Sequence, residues 1–210
     1  MTDGSGGAPP GSGKQFEPAV WAFLSDQGTG MPFYFTLLNI QEDERMKKVA
    51  VIMGSDSDLP VVERAFAVLK EYGVPFEAHV YSAHRTPVQA REFALHAREN
   101  GFGAIIAAAG KAAHLAGAIA ACTTLPVVGL PVHASTLDGI DALLSTVQMP
   151  SGIPVATVAI DGAANAALLC VQILAVTEPA LAQKLDAARA AAAEKILQRD
   201  AVISKEYGGE

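Results

Sequence analysis

From Lys47 onward, short apolar and β-branched runs alternate with longer stretches in which apolar residues recur at helical spacing. The runs at residues 49–53, 76–80, 104–108, 127–130 and 155–160 predict strands. Between them, residues 60–72, 87–100, 115–121, 139–147 and 163–175 predict helices. Pro60 and Pro87 fall in first turns, where a missing N–H costs nothing, and Gly73 and Gly101 follow helix ends, where a left-handed residue is favoured. Such an alternation predicts a parallel sheet covered by helices on both faces. After Pro179, residues 180–202 form an Ala-rich stretch with Leu181, Leu185, Ala188 and Ile196 near one stripe, a terminal helix in need of a partner surface.

The first 45 residues do not share this pattern. Residues 1–13 are rich in Gly, Ser and Pro and read as flexible coil, and residues 16–40 scatter aromatics without a period. No basic segment leads into a continuous apolar one, so a secretory signal is not expected. We read residues 1–45 as an extension and 46–210 as one catalytic α/β domain, with Met46 as a candidate natural start. The whole chain carries 15 basic and 22 acidic side chains, and residues 46–210 carry 13 and 16, so the domain is close to neutral.

Half of the chain is apolar and only 6% aromatic, a composition of small aliphatic side chains suited to helices packed on a buried sheet. No Lys/Arg cluster is present to neutralise a run of phosphates, which argues against nucleic acid as a partner. Residues 112–137 contain no Asp, Glu, Lys or Arg, but His114, Gly129, Pro126 and Pro131 interrupt them, so a buried helix and strand are expected rather than a membrane span. Cys122 and Cys170 lie in apolar surroundings without metal or redox spacing and read as packing residues in a reducing cytoplasm.

In an open parallel sheet, ligands bind beyond the carboxyl ends of the strands. The polar residues collect there. Gly54-Ser55-Asp56-Ser57-Asp58 follows the first strand, Ser82-Ala83-His84-Arg85-Thr86-Pro87 the second, and Gly110-Lys111-Ala112-Ala113-His114 the third. The first loop offers small hydroxyls and free N–H groups suited to a phosphate, while Asp56 and Asp58 suit ribose hydroxyls, or Asp58 simply caps a helix. Arg85 is a fixed cation at a helix mouth, and His84 beside it is the best general acid/base in the chain. His114 sits where small neighbours allow close approach to a ligand. His79 and His96 read as structural, and His133 is ambiguous. No set of His and carboxylates has metal-ligand spacing.

Together, VAVIMGSDSD, YSAHRTP, AAHLAG, LLSTVQMPSGIPVATVAI and NAALLCVQILA resemble the N5-carboxyaminoimidazole ribonucleotide mutases of de novo purine synthesis, the PurE family. The likeness runs from Lys47 to about Arg199. It implies a three-layer α/β/α sandwich with a flavodoxin-like sheet, and a homo-octamer in which the C-terminal helix packs on a neighbouring subunit. It implies interconversion of N5-carboxyaminoimidazole ribonucleotide and 4-carboxy-5-aminoimidazole ribonucleotide without metal or organic cofactor. By motif, His84 falls on the general acid/base, His114 on a second active-site histidine, and Ser55, Asp58 and Arg85 on nucleotide-binding positions, with Asp56, Ser82, Gly110, Lys111 and Leu115 nearby. Two positions depart from the common pattern: Lys111 replaces a glycine and Ala116 a proline. Lys111 is either a solvated loop residue or an added cation near the carboxylate. The alternatives are a direct aminoimidazole ribonucleotide carboxylase using CO₂ and a non-catalytic flavodoxin-like nucleotide-binding module.

Overall fold

The computed structural model describes residues 46–135 and 137–208; the expectations for residues 1–45 lie outside them. Five parallel strands, β1 (Lys48–Met53), β2 (Phe76–Val80), β3 (Phe102–Gly110), β4 (Val127–Val132) and β5 (Ala156–Thr157), pair in the order β2-β1-β3-β4-β5. This is the flavodoxin-like order, in which β1 and β3 diverge in direction of winding and leave a crevice above their carboxyl ends.

Both faces of the sheet are apolar, as a parallel sheet requires. Val49, Val51 and Met53 point to one side, with Ala104, Ile106, Ala108, Val128 and Leu130. Helix α1 (Leu59–Tyr72) and helix α5 (Ala163–Ala175) cover them. Ala50, Ile52, Ile105 and Ala107 point to the other, under α2 (Pro87–His96) and α3 (Leu115–Ala120). Helix α4 (Ile140–Val147) joins that second layer, its buried Thr146 facing Gly129 of β4. Three layers result.

Local sequence explains the ends. Helix α1 buries Val62, Ala65, Leu69 and Tyr72, a 3-4-3 spacing, and stops where Gly73 turns left-handed at φ 74° and donates its N–H back to Leu69 and Lys70 carbonyls. Helix α2 ends four residues before the expected 100. The segment after it closes as turns, in which Gly101, at φ 82°, lets Phe102 donate to the Ala97 carbonyl and enter β3. The fifth strand is also shorter than expected: only Ala156 and Thr157 form ladder pairs, although Val158 and Asp161 still donate to Gly129 and Pro131 carbonyls.

The uncharged stretch around residues 112–137 is α3 followed by β4, as expected, and among the described residues no helix is long and apolar enough to cross a membrane. Cys170 is fully buried in α5, where desolvation pushes its thiol up to about 12. Helix α6 (Pro179–Tyr207) buries Leu181 and Leu185 and is tied to α1 by Lys184 Nζ donating to the Tyr72 carbonyl at 2.8 Å. Beyond Leu185 its apolar side chains Ile196, Leu197, Val202 and Ile203 are exposed.

Candidate active site

The three loops singled out in the sequence meet above the carboxyl ends of β1, β2 and β3 around a cleft of about 780 Å³. The first leaves β1 through Gly54 and ends in a single 3-10 turn, Asp56–Asp58. Ser55 Oγ accepts the Ser57 N–H at 3.3 Å, and Asp58 Oδ2 accepts the Ser55 N–H at 3.2 Å. This reciprocal pair is a capping box. Asp58 therefore holds its own loop closed and makes no side-chain bond to cap α1. It is only 8% exposed, and burial raises its carboxyl above the usual 3.8, against the opposing pull of the Ser55 N–H and the Arg85 charge.

Ser82 organises the second loop. Its hydroxyl accepts the N–H groups of His84 at 3.3 Å and Arg85 at 3.2 Å, while its own N–H donates to Thr86 Oγ1 at 2.8 Å. The turn so fixed sends Arg85 toward the first loop, where Nη2 donates to the Gly54 carbonyl at 2.9 Å. Two loops 31 residues apart are thereby joined.

The third loop passes through Gly110, where an added Cβ would stand 3.2 Å from the Val132 carbonyl, and then Lys111, a non-glycine residue in the left-handed region at φ 56°. Such a conformation costs a lysine about 1–2 kcal/mol relative to its ordinary backbone. The loop ends at His114, whose Nδ1 lies 2.9 Å from His84 Nε2, the two rings meeting at 76°. One nitrogen must present its hydrogen and the other its lone pair. The contact thus needs at least one of the two facing nitrogens unprotonated.

Ser55, Asp58, Ser82, His84, Arg85, Gly110, Lys111, His114 and Leu115 all line this cleft. Asp56 does not; it is exposed and accepts the Ser55 hydroxyl at 3.2 Å. His133 and Asp161, from the loops after β4 and β5, complete the wall, with His133 N–H donating to Asp161 Oδ1 at 2.8 Å. Asp161 was not singled out from the sequence. The Asp161-Gly162 pair closing the fifth apolar run is a strand-to-helix turn at the carboxyl edge, and applying the strand-end rule to that run would have found it. His79 and His96 lie elsewhere, His79 stacked on Tyr81 and His96 near Glu92 and Glu99. Among the described residues no group of three His, Cys, Asp or Glu is placed to hold a metal. A larger hollow of about 900 Å³, at the amino ends of β4 and β5, is lined by Arg98, Glu99 and Cys122 but by no histidine. Its size does not make it the better site, because it lies at the opposite edge of the sheet from the carboxyl ends where open parallel sheets bind ligands.

Residues 48–195 match the family described as AIR carboxylase. The chain belongs to that family. It is 58% identical over 137 residues to the N5-carboxyaminoimidazole ribonucleotide mutase of Pyrococcus horikoshii, covering 65% of this chain and 77% of that protein. It is 51% identical over 160 residues to the phosphoribosylaminoimidazole carboxylase of Saccharomyces cerevisiae, covering 75% of this chain but only 28% of the yeast protein. Among solved structures, Treponema denticola PurE superposes with a TM-score of 0.66 at 25% identity, over 77% of this chain and 98% of that one. The flavodoxin-like α/β/α fold of the AIR carboxylase family is thus common to both, and the GSDSD, SAHRTP and AAHLAG blocks of this chain are its three cleft loops.

Proposed function

We infer that the chain is an isomerase of purine biosynthesis that interconverts N5-carboxyaminoimidazole ribonucleotide and 4-carboxy-5-aminoimidazole ribonucleotide. The observation carrying this reading is the His84–His114 contact at 2.9 Å, in a cleft whose wall holds Arg85 against the first loop, in a chain 50–58% identical to several curated mutases. Arg85, Ser55 and the loop N–H groups suit the nucleotide phosphate, and Asp58 suits the ribose hydroxyls. Ser82 positions His84 and Arg85. Asp56 supports Ser55 from outside the cleft, while Gly110 and Leu115 shape its floor.

The reaction needs one proton given and one recovered. When the N–C bond of the carboxylated amine breaks, its electron pair stays on nitrogen, which takes a proton from His84, and CO₂ is released inside the cleft. The enamine-like C4 then attacks CO₂, forming the C–C bond, and its hydrogen returns to His84 as a proton. His114 orients that imidazole through its Nδ1. Holding CO₂ and nucleotide together in a small, partly apolar cleft makes recapture intramolecular.

The reading extends to the assembly and the domain. Residues 46–210 act as the catalytic unit, in the cytoplasm, as a homo-octamer; the exposed apolar side chains of α6 and the two free cysteines support this. Purified protein should turn over the N-carboxylated nucleotide without bicarbonate. His84→Asn should lower kcat by roughly 10²–10⁴ while leaving nucleotide affinity nearly unchanged. Turnover only of the uncarboxylated nucleotide with CO₂ would instead make it the carboxylase named for the yeast relative, and binding without turnover would leave a nucleotide-binding module.

A further inference from the structure

We propose that Lys111 is the cation that holds the migrating carboxylate and so keeps the decarboxylated nucleotide and CO₂ from parting; this rests on the mutase reading above. The nucleotide brings two anionic groups, a phosphate and a carboxylate. The described lining of the cleft contains two fixed cations, Arg85 and Lys111. Arg85 is bonded to Gly54 in the loop after β1, whereas Lys111 rises from the loop after β3, which flanks β1 on the side away from β2. The two charges thus stem from opposite sides of the crevice, with the histidine pair between their loops.

Lys111 is exposed at the cleft, and two features bear on what its ammonium does there. Its backbone stands at φ 56°, a conformation that glycine would occupy freely and lysine occupies under strain. Among the described residues its ammonium also has no carboxylate partner within ion-pair distance. A strained, unpaired cation in a cleft built for two anions is available to the second of them.

The ammonium attracts the carboxylate whether it is borne by nitrogen or by C4, and attracts neutral CO₂ far less. It therefore stabilises both carboxylated ends of the reaction relative to the separated pair and shortens the time during which CO₂ can escape. Lys111 neither gives nor takes a proton in this role.

Calorimetric titration of wild type, Lys111→Met and Lys111→Gly with 4-carboxy-5-aminoimidazole ribonucleotide and with aminoimidazole ribonucleotide tests this, alongside the uncarboxylated nucleotide released per turnover. Both variants should bind the carboxylated nucleotide about ten-fold more weakly, as expected on loss of a charged hydrogen bond. Affinity for the uncarboxylated nucleotide should hold, its release should rise several-fold, and Lys111→Arg should restore retention. Equal weakening toward both nucleotides, or no change toward either, overturns the proposal. So does a Lys111→Gly variant that behaves as wild type while Lys111→Met fails, since backbone rather than charge would then matter. If wild type binds neither nucleotide, the mutase reading itself falls and takes this role of Lys111 with it.

Discussion

His84 and His114 touch through particular nitrogens, Nε2 of one and Nδ1 of the other, and that detail makes the second histidine testable. An asparagine at 114 places an amide close to where Nδ1 stands, whereas a glutamine reaches toward Nε2. Turnover in His114→Asn should therefore exceed that in His114→Gln by about ten-fold, the worth of one correctly placed hydrogen bond. Equal losses would mean that His114 acts through its bulk or its other nitrogen. Asp58 offers a second test. Burial raises its carboxyl, so the folded protein holds this proton more tightly than the unfolded chain does. Its contribution to stability is full below 3.8 and is withdrawn as pH rises through the raised value. Asp58→Asn, uncharged and equal in size, should melt above wild type at pH 7, and the gap should close as pH falls toward 3.8. A lower melting temperature for the variant at pH 7 would mean that bonds from Ser55 and the charge of Arg85 outweigh desolvation. At this scale the sequence pointed to His84, Arg85 and His114, which follow strands and which the fold brings to one cleft. Asp161 escaped because an Asp before a Gly reads first as a turn, and only its bond from the His133 N–H marks it as part of the wall.

Among the elements, β2 and α5 run over the residues that periodicity predicts, because clear punctuation bounds them: Gly73 and Pro75 before β2, Gly162 before α5. Helix α2 and β5 were overestimated for a shared reason. Sequence pattern reports which residues can be helical or extended, while the element's length depends on where tertiary bonds redirect the backbone, at Ala97–Phe102 and at Val158–Gly129. The helix–sheet fit is close enough to test at Gly129. An added Cβ there would collide with Thr146 Cγ2 and approach Val155 Cγ1 to 2.8 Å, both across the α4 face of the sheet. Gly129→Ala should cost roughly 1–3 kcal/mol. A melting temperature within about 1 °C of wild type would show that α4 yields without cost, since 1 kcal/mol moves a domain of this size by ~2–4 °C.

For the molecule as a whole, the alternation of strands and helices made the layered architecture readable. Strand order followed less from the residues than from the family likeness, since no single residue encodes that β1 lies between β2 and β3. The partner of α6 is legible only as a need: a 29-residue helix with Leu181 and Leu185 buried presents unpartnered apolar positions along the rest of its length. A chain beginning at Met46 should sediment as an octamer and turn over as the full chain does. A single-chain species with full activity would break both the assembly and the partner assigned to that helix.

The bond from Arg85 to the Gly54 carbonyl carries a kinetic consequence. A guanidinium has five donors, and two are already committed to the protein, Nη2 to the Gly54 carbonyl and Nε to the Ser82 hydroxyl, so its long side chain is restrained before any ligand arrives. Capture of a phosphate then freezes few new torsions, and the entropic penalty of association stays small. A lysine at 85 would keep the charge but would have no planar fork to grip the neighbouring loop while greeting a ligand. Preorganisation, rather than charge alone, is what an arginine contributes at this position.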